Sequence, residues 1–312
     1  MKAVRFHAYG DPDVLRYEDV EQPVPAADEV RIRVAATSFN PVDAGIRGGF
    51  LRQAFQVALP HVPGIDVAGT IDALGAHVTG RRVGDPVIGF LPIVADGAAA
   101  EYVVAPANIL ADAPRSIPLA DAAALPEAGL TAWQSLFEHA RLRRGQRLLV
   151  NGAGGAVGGY AVQLAKRAGA HVIATASPRS VDRVRKAGAD EIVDHTTTDV
   201  ADAVSQPVDV VLNLAPVARP ELTAIARLVC TGGVVLSTVP AAMPDKTRGV
   251  RAVAVFVRSD AEQLAGLVAM VEAGELHVDV AERLSLPELA AVHVRADAGA
   301  LSGKVVLLPA AA

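Results

Sequence analysis

The sequence predicts an α/β protein of two domains, one β-rich and one built on a doubly wound parallel sheet. Three observations carry this reading. The 312 residues are about twice the ~150 of a usual single domain. The first third is made of short β-type runs broken by turn residues, and the middle alternates apolar strands with helical patterns. A loop of small residues follows directly on the first of those apolar strands.

The β-type runs lie at 2–6, 29–36, 66–74, 86–89 and 100–104, separated by the Gly, Pro and Asp of tight turns. From residue 147 the period changes. Apolar strand candidates at 148–150, 172–175, 191–193, 209–212, 234–237 and 251–257 alternate with helical patterns, which is the order of a parallel sheet covered on both faces. Between the first two, Tyr160, Ala161, Leu164, Ala165 and Ala168 share one face of a helix over 158–168, and Gly169 stands where that helix stops. Residues 260–272 read as a last helix and 302–308 as a closing strand that rejoins the first domain. The expected domains are therefore 1–117, completed by 274–312, and 118–273 between them.

With 51% hydrophobic and 20% charged residues, the composition is that of an ordinary globular protein. A formal charge of −5 with dispersed Lys and Arg offers no basic stripe to a phosphate backbone, so no nucleic-acid partner is expected. No apolar run reaches the ~18 residues of a membrane span, and the first residues read as a strand instead of a leader. The expectation is a soluble cytoplasmic protein with no membrane partner. The lone Cys230 fits a reducing compartment and cannot supply a cysteine cluster for zinc. The eight histidines, His61, His77 and His139 among them, show no recurring ligand spacing, so no metal site is expected.

The strongest chemical signal is Leu149-Val150-Asn151-Gly152-Ala153-Gly154-Gly155-Ala156-Val157-Gly158. An apolar strand runs into small residues that open a helix. A pyrophosphate is held by backbone N–H groups at such a helix start, and small residues let the main chain approach it. Ala153, Gly154, Gly155, Ala156, Val157 and Gly158 are the candidate cofactor contacts, with Ala153 replacing the first glycine of the usual dinucleotide fingerprint. At the end of the second strand, about 20 residues on, an acidic side chain would bind the ribose hydroxyls of NAD. Here the chain reads Ala174-Thr175-Ala176-Ser177-Pro178-Arg179-Ser180, with no carboxylate before Asp182. The Ser177 hydroxyl and the Arg179 guanidinium suit a 2′-phosphate, which points to NADPH. The competing reading makes Ser177 the cap of the next helix, with Pro178 in its first position and Arg179 solvated.

These residues resemble the medium-chain dehydrogenase/reductase family, in its zinc-free branch of quinone reductases and zeta-crystallin-like proteins. The further landmarks are Asn40-Pro41-Val42-Asp43, Pro63-Gly64-Ile65-Asp66-Val67-Ala68-Gly69, Val83-Gly84-Asp85-Pro86-Val87, Ala100-Glu101-Tyr102, Gly129-Leu130-Thr131-Ala132-Trp133 and Gly303-Lys304-Val305-Val306. The resemblance implies a GroES-like β-rich catalytic domain, a Rossmann doubly wound parallel sheet that binds NADPH, a cleft for substrate, and a homodimer. Zinc members of the family have Cys where Asn40 stands and His where Ile65 stands. Neither ligand is present here.

Without a Lewis acid the chemistry suits an acceptor already activated toward hydride, a quinone or an α,β-unsaturated carbonyl. Asn40 is the first catalytic candidate, its amide donating to the developing negative charge, against a plain turn role before Pro41. Thr131 resembles the family residue beside the nicotinamide, with a buried threonine bonded to its own helix as the equal alternative. Asp43 organises the local turn, Lys304 reads as solvated, Phe256 and Val257 as pocket wall or core strand, and Asn213 as a cofactor contact at its strand end. Two rival functions remain open: an enoyl or alkenal reductase of a biosynthetic pathway, and a non-catalytic NADPH-binding sensor or structural protein.

Overall fold

The computed structural model describes residues 1–239 and 242–309. The chain divides into two compact units, one of Met1–Glu127 with the chain from Ser259 onward, the other of Ala128–Arg258. In chain order the first stretch carries β1 (Lys2–Phe6), β2 (Leu15–Asp19), β3 (Glu29–Ser38), α1 (Pro41–Arg47), β4 (Asp66–Leu74), β5 (Pro86–Phe90), β6 (Tyr102–Pro106), β7 (Leu110–Asp112) and α2 (Pro126–Trp133). Then come β8 (Arg147–Asn151), α3 (Ala156–Arg167), β9 (His171–Ala176), α4 (Val181–Lys186), β10 (Glu191–Asp194), α5 (Val200–Ala203), β11 (Val208–Asn213), α6 (Arg219–Arg227), β12 (Val229–Ser237) and β13 (Arg251–Ala254). The chain closes with α7 (Ala261–Glu272), β14 (Val280–Ser285), α8 (Leu289–Asp297) and β15 (Lys304–Leu308).

The boundaries expected at 117/118 and 273/274 are displaced. The first division falls inside α2, and α7 belongs to the first unit. There it packs against β7, and its Glu272 carboxylate accepts from the Ser116 N–H at 2.9 Å. Residues 310–312 of the expected closing segment lie outside the described residues.

In the first unit, β1 pairs with β2, and a larger sheet runs β14-β15-β3-β4-β5-β7 with β6 also on β3. Alternation along β3 sends Val30, Ile32 and Val34 into a core with Val67, Ile71, Val103 and Leu110. A second core gathers Phe6, Phe39, Ile46, Leu289, Val292 and Leu307. The closing strand does rejoin this unit: β15 pairs antiparallel with the end of β3, Val306 opposite Ser38.

The second unit is a six-stranded parallel sheet ordered β10-β9-β8-β11-β12-β13. Its order reverses between β8 and β11, the switch point where such sheets open a ligand crevice at their carboxyl ends. Near-continuous apolar runs in β8, β9 and β11 follow from burial on both faces. Helix α3 begins two residues earlier than its periodicity implies and ends before Gly169, whose φ of +78° is left-handed. The sixth strand is shorter than expected, and Phe256 beyond it is 75% exposed, so it is not a core strand residue. No helix among the described residues is long and apolar enough to cross a membrane.

Helix α8 holds a histidine that the sequence offers no reason to single out. His293 is fully buried, its ring meets the face or edge of Phe39 at 4.9 Å between centroids, and neither ring nitrogen has a hydrogen-bond partner among the described residues. Beside it lies Arg47, the buried end of α1, which donates to Asp297 at 2.7 Å. Burial first, and then the Arg47 charge, push the His293 pKa down to about 4. A histidine with a depressed folded pKa contributes stability above the unfolded value, 6.5, that is lost as pH falls toward 4. His293→Leu removes this dependence. The stability of the variant relative to wild type, from urea unfolding, should rise by about 2 kcal/mol between pH 7 and pH 5. A gap that does not change with pH would mean that His293 takes up its proton as easily folded as unfolded.

Candidate active site

In the second unit the candidate nucleotide loop is built from the end of β8. Asn151 closes the strand, Gly152 turns the chain at φ +91°, and Gly155 caps α3. The first amides of α3, at Ala156, Val157 and Gly158, have no carbonyl within the helix to bond, which is the donor arrangement an anion needs. Gly158 is required by packing. A Cβ there would sit 2.5 Å from the Ala153 Cα and 2.6 Å from the Gly152 carbonyl oxygen. At Gly155 the nearest atom to a Cβ would be the Gly152 oxygen at 3.6 Å, an ordinary contact. That side of the loop is open and exposed.

A line of buried polar side chains crosses the strand ends behind the loop. Thr175 Oγ1 accepts from the Gly152 N–H at 2.8 Å and donates to Asn151 Oδ1 at 3.0 Å. Asn151 Nδ2 donates to Asn213 Oδ1 at 2.8 Å, and Asn213 Nδ2 donates to Ser237 Oγ at 3.1 Å and to the Ala215 carbonyl at 3.2 Å. The line ties β9, β8, β11 and β12 together and fixes the exit of the loop. Asn213, expected as a cofactor contact, is thus fully buried with both ends of its amide engaged inside the sheet. Sequence reading missed Asn151, Thr175 and Ser237. The signal was present, since β8, β11 and β12 close on a small polar residue and β9 carries one next to its last position.

Beside this line opens a cavity of about 400 Å³, lined by Gly152, Thr175, His195, Thr196, Asp199 and Ala215 among others. Its size suits part of a nucleotide. At the end of β9, Ala176 occupies the position where a ribose-binding carboxylate would stand. Ser177 is not the cap of α4: the helix starts at Val181 with Ser180 before it, and Ser180 Oγ accepts from the Ser177 N–H at 3.1 Å. Arg179 is exposed in this turn. A different arginine reaches the loop, for Arg183 Nη2 donates to the Gly154 carbonyl at 3.0 Å. Thr131 is buried in α2.

The first unit holds the other candidate, Asn40, within a buried cluster of charged and polar groups. Asp66 Oδ2 accepts from Ser38 Oγ at 2.6 Å, Asn40 Nδ2 at 2.8 Å and Lys304 Nζ at 3.2 Å, while Oδ1 accepts from the Glu127 N–H at 2.8 Å. Lys304 Nζ also donates to Asn40 Oδ1. Lys304 is therefore a buried cation, 4% exposed, and not the solvated lysine expected. Asn40 spends one amide hydrogen and its oxygen within the cluster. Asp43 closes the turn, accepting from the Asn40 N–H at 2.9 Å and the Gly64 N–H at 3.1 Å. Burial outweighs these two donors and pushes its pKa up to about 7.

The donor set does not suit zinc. Ile65 is a buried apolar side chain, the cation beside Asn40 and Asp66 is the ammonium of Lys304, and no three His, Cys, Asp or Glu side chains among the described residues group to hold a metal ion.

Comparison with known proteins agrees with this architecture. The family model for the alcohol dehydrogenase GroES-like domain matches residues 26–115, and that named zinc-binding dehydrogenase matches residues 187–307. The chloroplastic quinone-oxidoreductase QR1 of Triphysaria versicolor is 31% identical over 325 residues, covering 99% of this chain and 98% of that protein. The chloroplastic quinone-oxidoreductase homolog of Spinacia oleracea is 39% identical over 211 residues, which span 66% of this chain and 64% of the length of the spinach protein. Among solved structures, the quinone oxidoreductase from Coxiella burnetii superposes with a TM-score of 0.91 at 30% identity, over 99% of each chain. The chain belongs to the medium-chain dehydrogenase/reductase family, in its quinone oxidoreductase branch, and is an oxidoreductase whose cofactor is a nicotinamide nucleotide.

Two predictions follow from the two clusters. Lys304→Met should cost about 3–5 kcal/mol in urea unfolding, because Asp66 is left buried and uncompensated. Adding Asp66→Asn should recover part of the loss; additive losses would show that the two groups do not interact. In the loop, Gly158→Ala should lower the melting temperature by displacing α3. If the loop receives the nicotinamide nucleotide, Gly155→Ala should leave melting unchanged yet weaken binding of that nucleotide by about ten-fold or more, since its methyl intrudes on the open side of the loop. Equal affinities for wild type and Gly155→Ala in a fluorescence titration would place the nucleotide elsewhere.

Proposed function

We propose that this protein is a zinc-independent, NADPH-dependent reductase of quinones or other activated acceptors of the α,β-unsaturated carbonyl class. The observation that carries the cofactor choice is the end of β9, where Ala176 presents no carboxylate to repel a 2′-phosphate and arginines follow within one turn of α4. When bound, the reduced nicotinamide supplies a hydride; the acceptor gains it together with a proton from solvent.

The chain's own residues hold and orient. The loop 153–158 and the start of α3 bind the pyrophosphate, and the line Thr175-Asn151-Asn213-Ser237 keeps that loop in place. In this reading Asn40 presents its remaining amide hydrogen to charge developing on the acceptor oxygen, with the orientation of the amide fixed by Lys304 and Asp66. Thr131 is the second catalytic candidate, at the nicotinamide. The ammonium of Lys304 and the apolar Ile65 leave a metal no part in the reading. A cytoplasmic homodimer belongs to the same proposal, with β13 as the edge strand of the parallel sheet available for pairing.

The test is NADPH oxidation at 340 nm by the purified chain against benzoquinones, naphthoquinones and enones, with NADH and a chelator as controls and light scattering for mass. The expected result is NADPH-preferring turnover, indifferent to chelator, by a species of twice the chain mass. An enone preference with inert quinones would favour an enoyl or alkenal reductase. Tight NADPH binding without turnover on any acceptor would favour a nucleotide sensor and overturn the reductase reading.

A further inference from the structure

The 2′-phosphate of NADPH needs a donor group held in place before it arrives, because a guanidinium that must first be ordered gives back part of what it gains. Two arginines follow the end of β9 within one turn of each other, and the structure treats them differently. Arg179 lies exposed in the turn between Ser177 and Ser180. Arg183, in the first turn of α4, is half-buried, and its Nη2 donates to the carbonyl of Gly154 at 3.0 Å.

Gly154 sits inside the loop that would receive the pyrophosphate, next to Ala153, which stands where the fingerprint has its first glycine. Ser180, one helical turn before Arg183, lies against the same residue: a Cβ on Gly154 would be 2.5 Å from its Oγ. Glycine at position 154 therefore lets the start of α4 close on the nucleotide loop. Ser180 Oγ is in turn fixed by the Ser177 N–H, which accounts for the ordered turn between β9 and α4. Asp182, the first carboxylate after β9, is paired with Arg185 at 2.7 Å.

We propose that Arg183, docked on the Gly154 carbonyl, is the residue that reads the 2′-phosphate and so sets the preference for NADPH, and that Arg179 is secondary. The planar guanidinium carries five N–H donors in a rigid fork, so a bond through Nη2 to a backbone carbonyl fixes the plane of the whole group beside the loop. The position beside Gly154 is where an adenosine ribose would pass when its pyrophosphate lies on the start of α3. The assignment rests on the NADPH reading above.

The experiment is calorimetric titration of the full chain with 2′,5′-ADP and with 5′-AMP, which differ by the 2′-phosphate, for wild type, Arg183→Ala, Arg183→Lys and Arg179→Ala. Wild type should prefer 2′,5′-ADP. Arg183→Ala should weaken 2′,5′-ADP by about ten-fold or more and 5′-AMP by less than about two-fold, as expected for one charge-assisted bidentate contact. Arg183→Lys, which keeps the charge and loses the fork, should fall between, and unchanged melting would confirm that the fold is kept. Loss of discrimination in Arg179→Ala with Arg183→Ala unaffected would overturn the proposal in favour of Arg179. A wild type that binds both nucleotides equally would overturn the NADPH reading itself, and with it this one.

Discussion

The first unit depends on an ion pair between residues far apart in sequence. Lys304, the first residue of the closing strand, reaches Asp66, the first residue of β4, across 238 positions of chain, and both are buried. Burying two charges is costly unless their remaining donors and acceptors are met. Here Asp66 is met by Ser38, Asn40 and the Glu127 N–H as well as by Lys304. The pair thus specifies where β15 must dock, while Val305, Val306 and Leu307 supply the apolar burial that drives the docking. The same arrangement holds the Asn40 amide in one orientation.

The second unit solves a different problem. A parallel sheet buried on both faces has few places where polar groups are tolerated, and its strand ends are one of them. Asn151, Thr175, Asn213 and Ser237 occupy those ends in four neighbouring strands and satisfy one another. The strand order reverses between β8 and β11, and Asn151 and Thr175 of this polar line also face the cavity beside it. Gly158 then allows α3 to start close enough for its amides to face the crevice.

Much of this was legible in the sequence. The alternation of strands and helices, the loop of small residues and the helix that ends at Gly169 all follow from periodicity and turn chemistry, which are local properties. The buried cluster was not legible in the same way. Lys304 reads as an ordinary surface lysine because its neutralising partner is absent from its own neighbourhood in sequence. Ser177 with Pro178 reads as a helix start, but the Ser177–Ser180 turn postpones the helix to Val181. Asn213 reads as a contact at a crevice, yet its amide is used up by Asn151, Ser237 and Ala215.

By itself, then, the sequence determined the fold class and the position of the small-residue loop, because both are written in runs of residues that act on their near neighbours. Tertiary structure alone decided which polar side chains are shared among strand ends, which lysine is buried as a counter-charge, and which of two arginines is held against the loop. Hydrogen bonds and ion pairs of this kind are satisfied only by partners brought from distant parts of the chain, and burial makes their satisfaction obligatory.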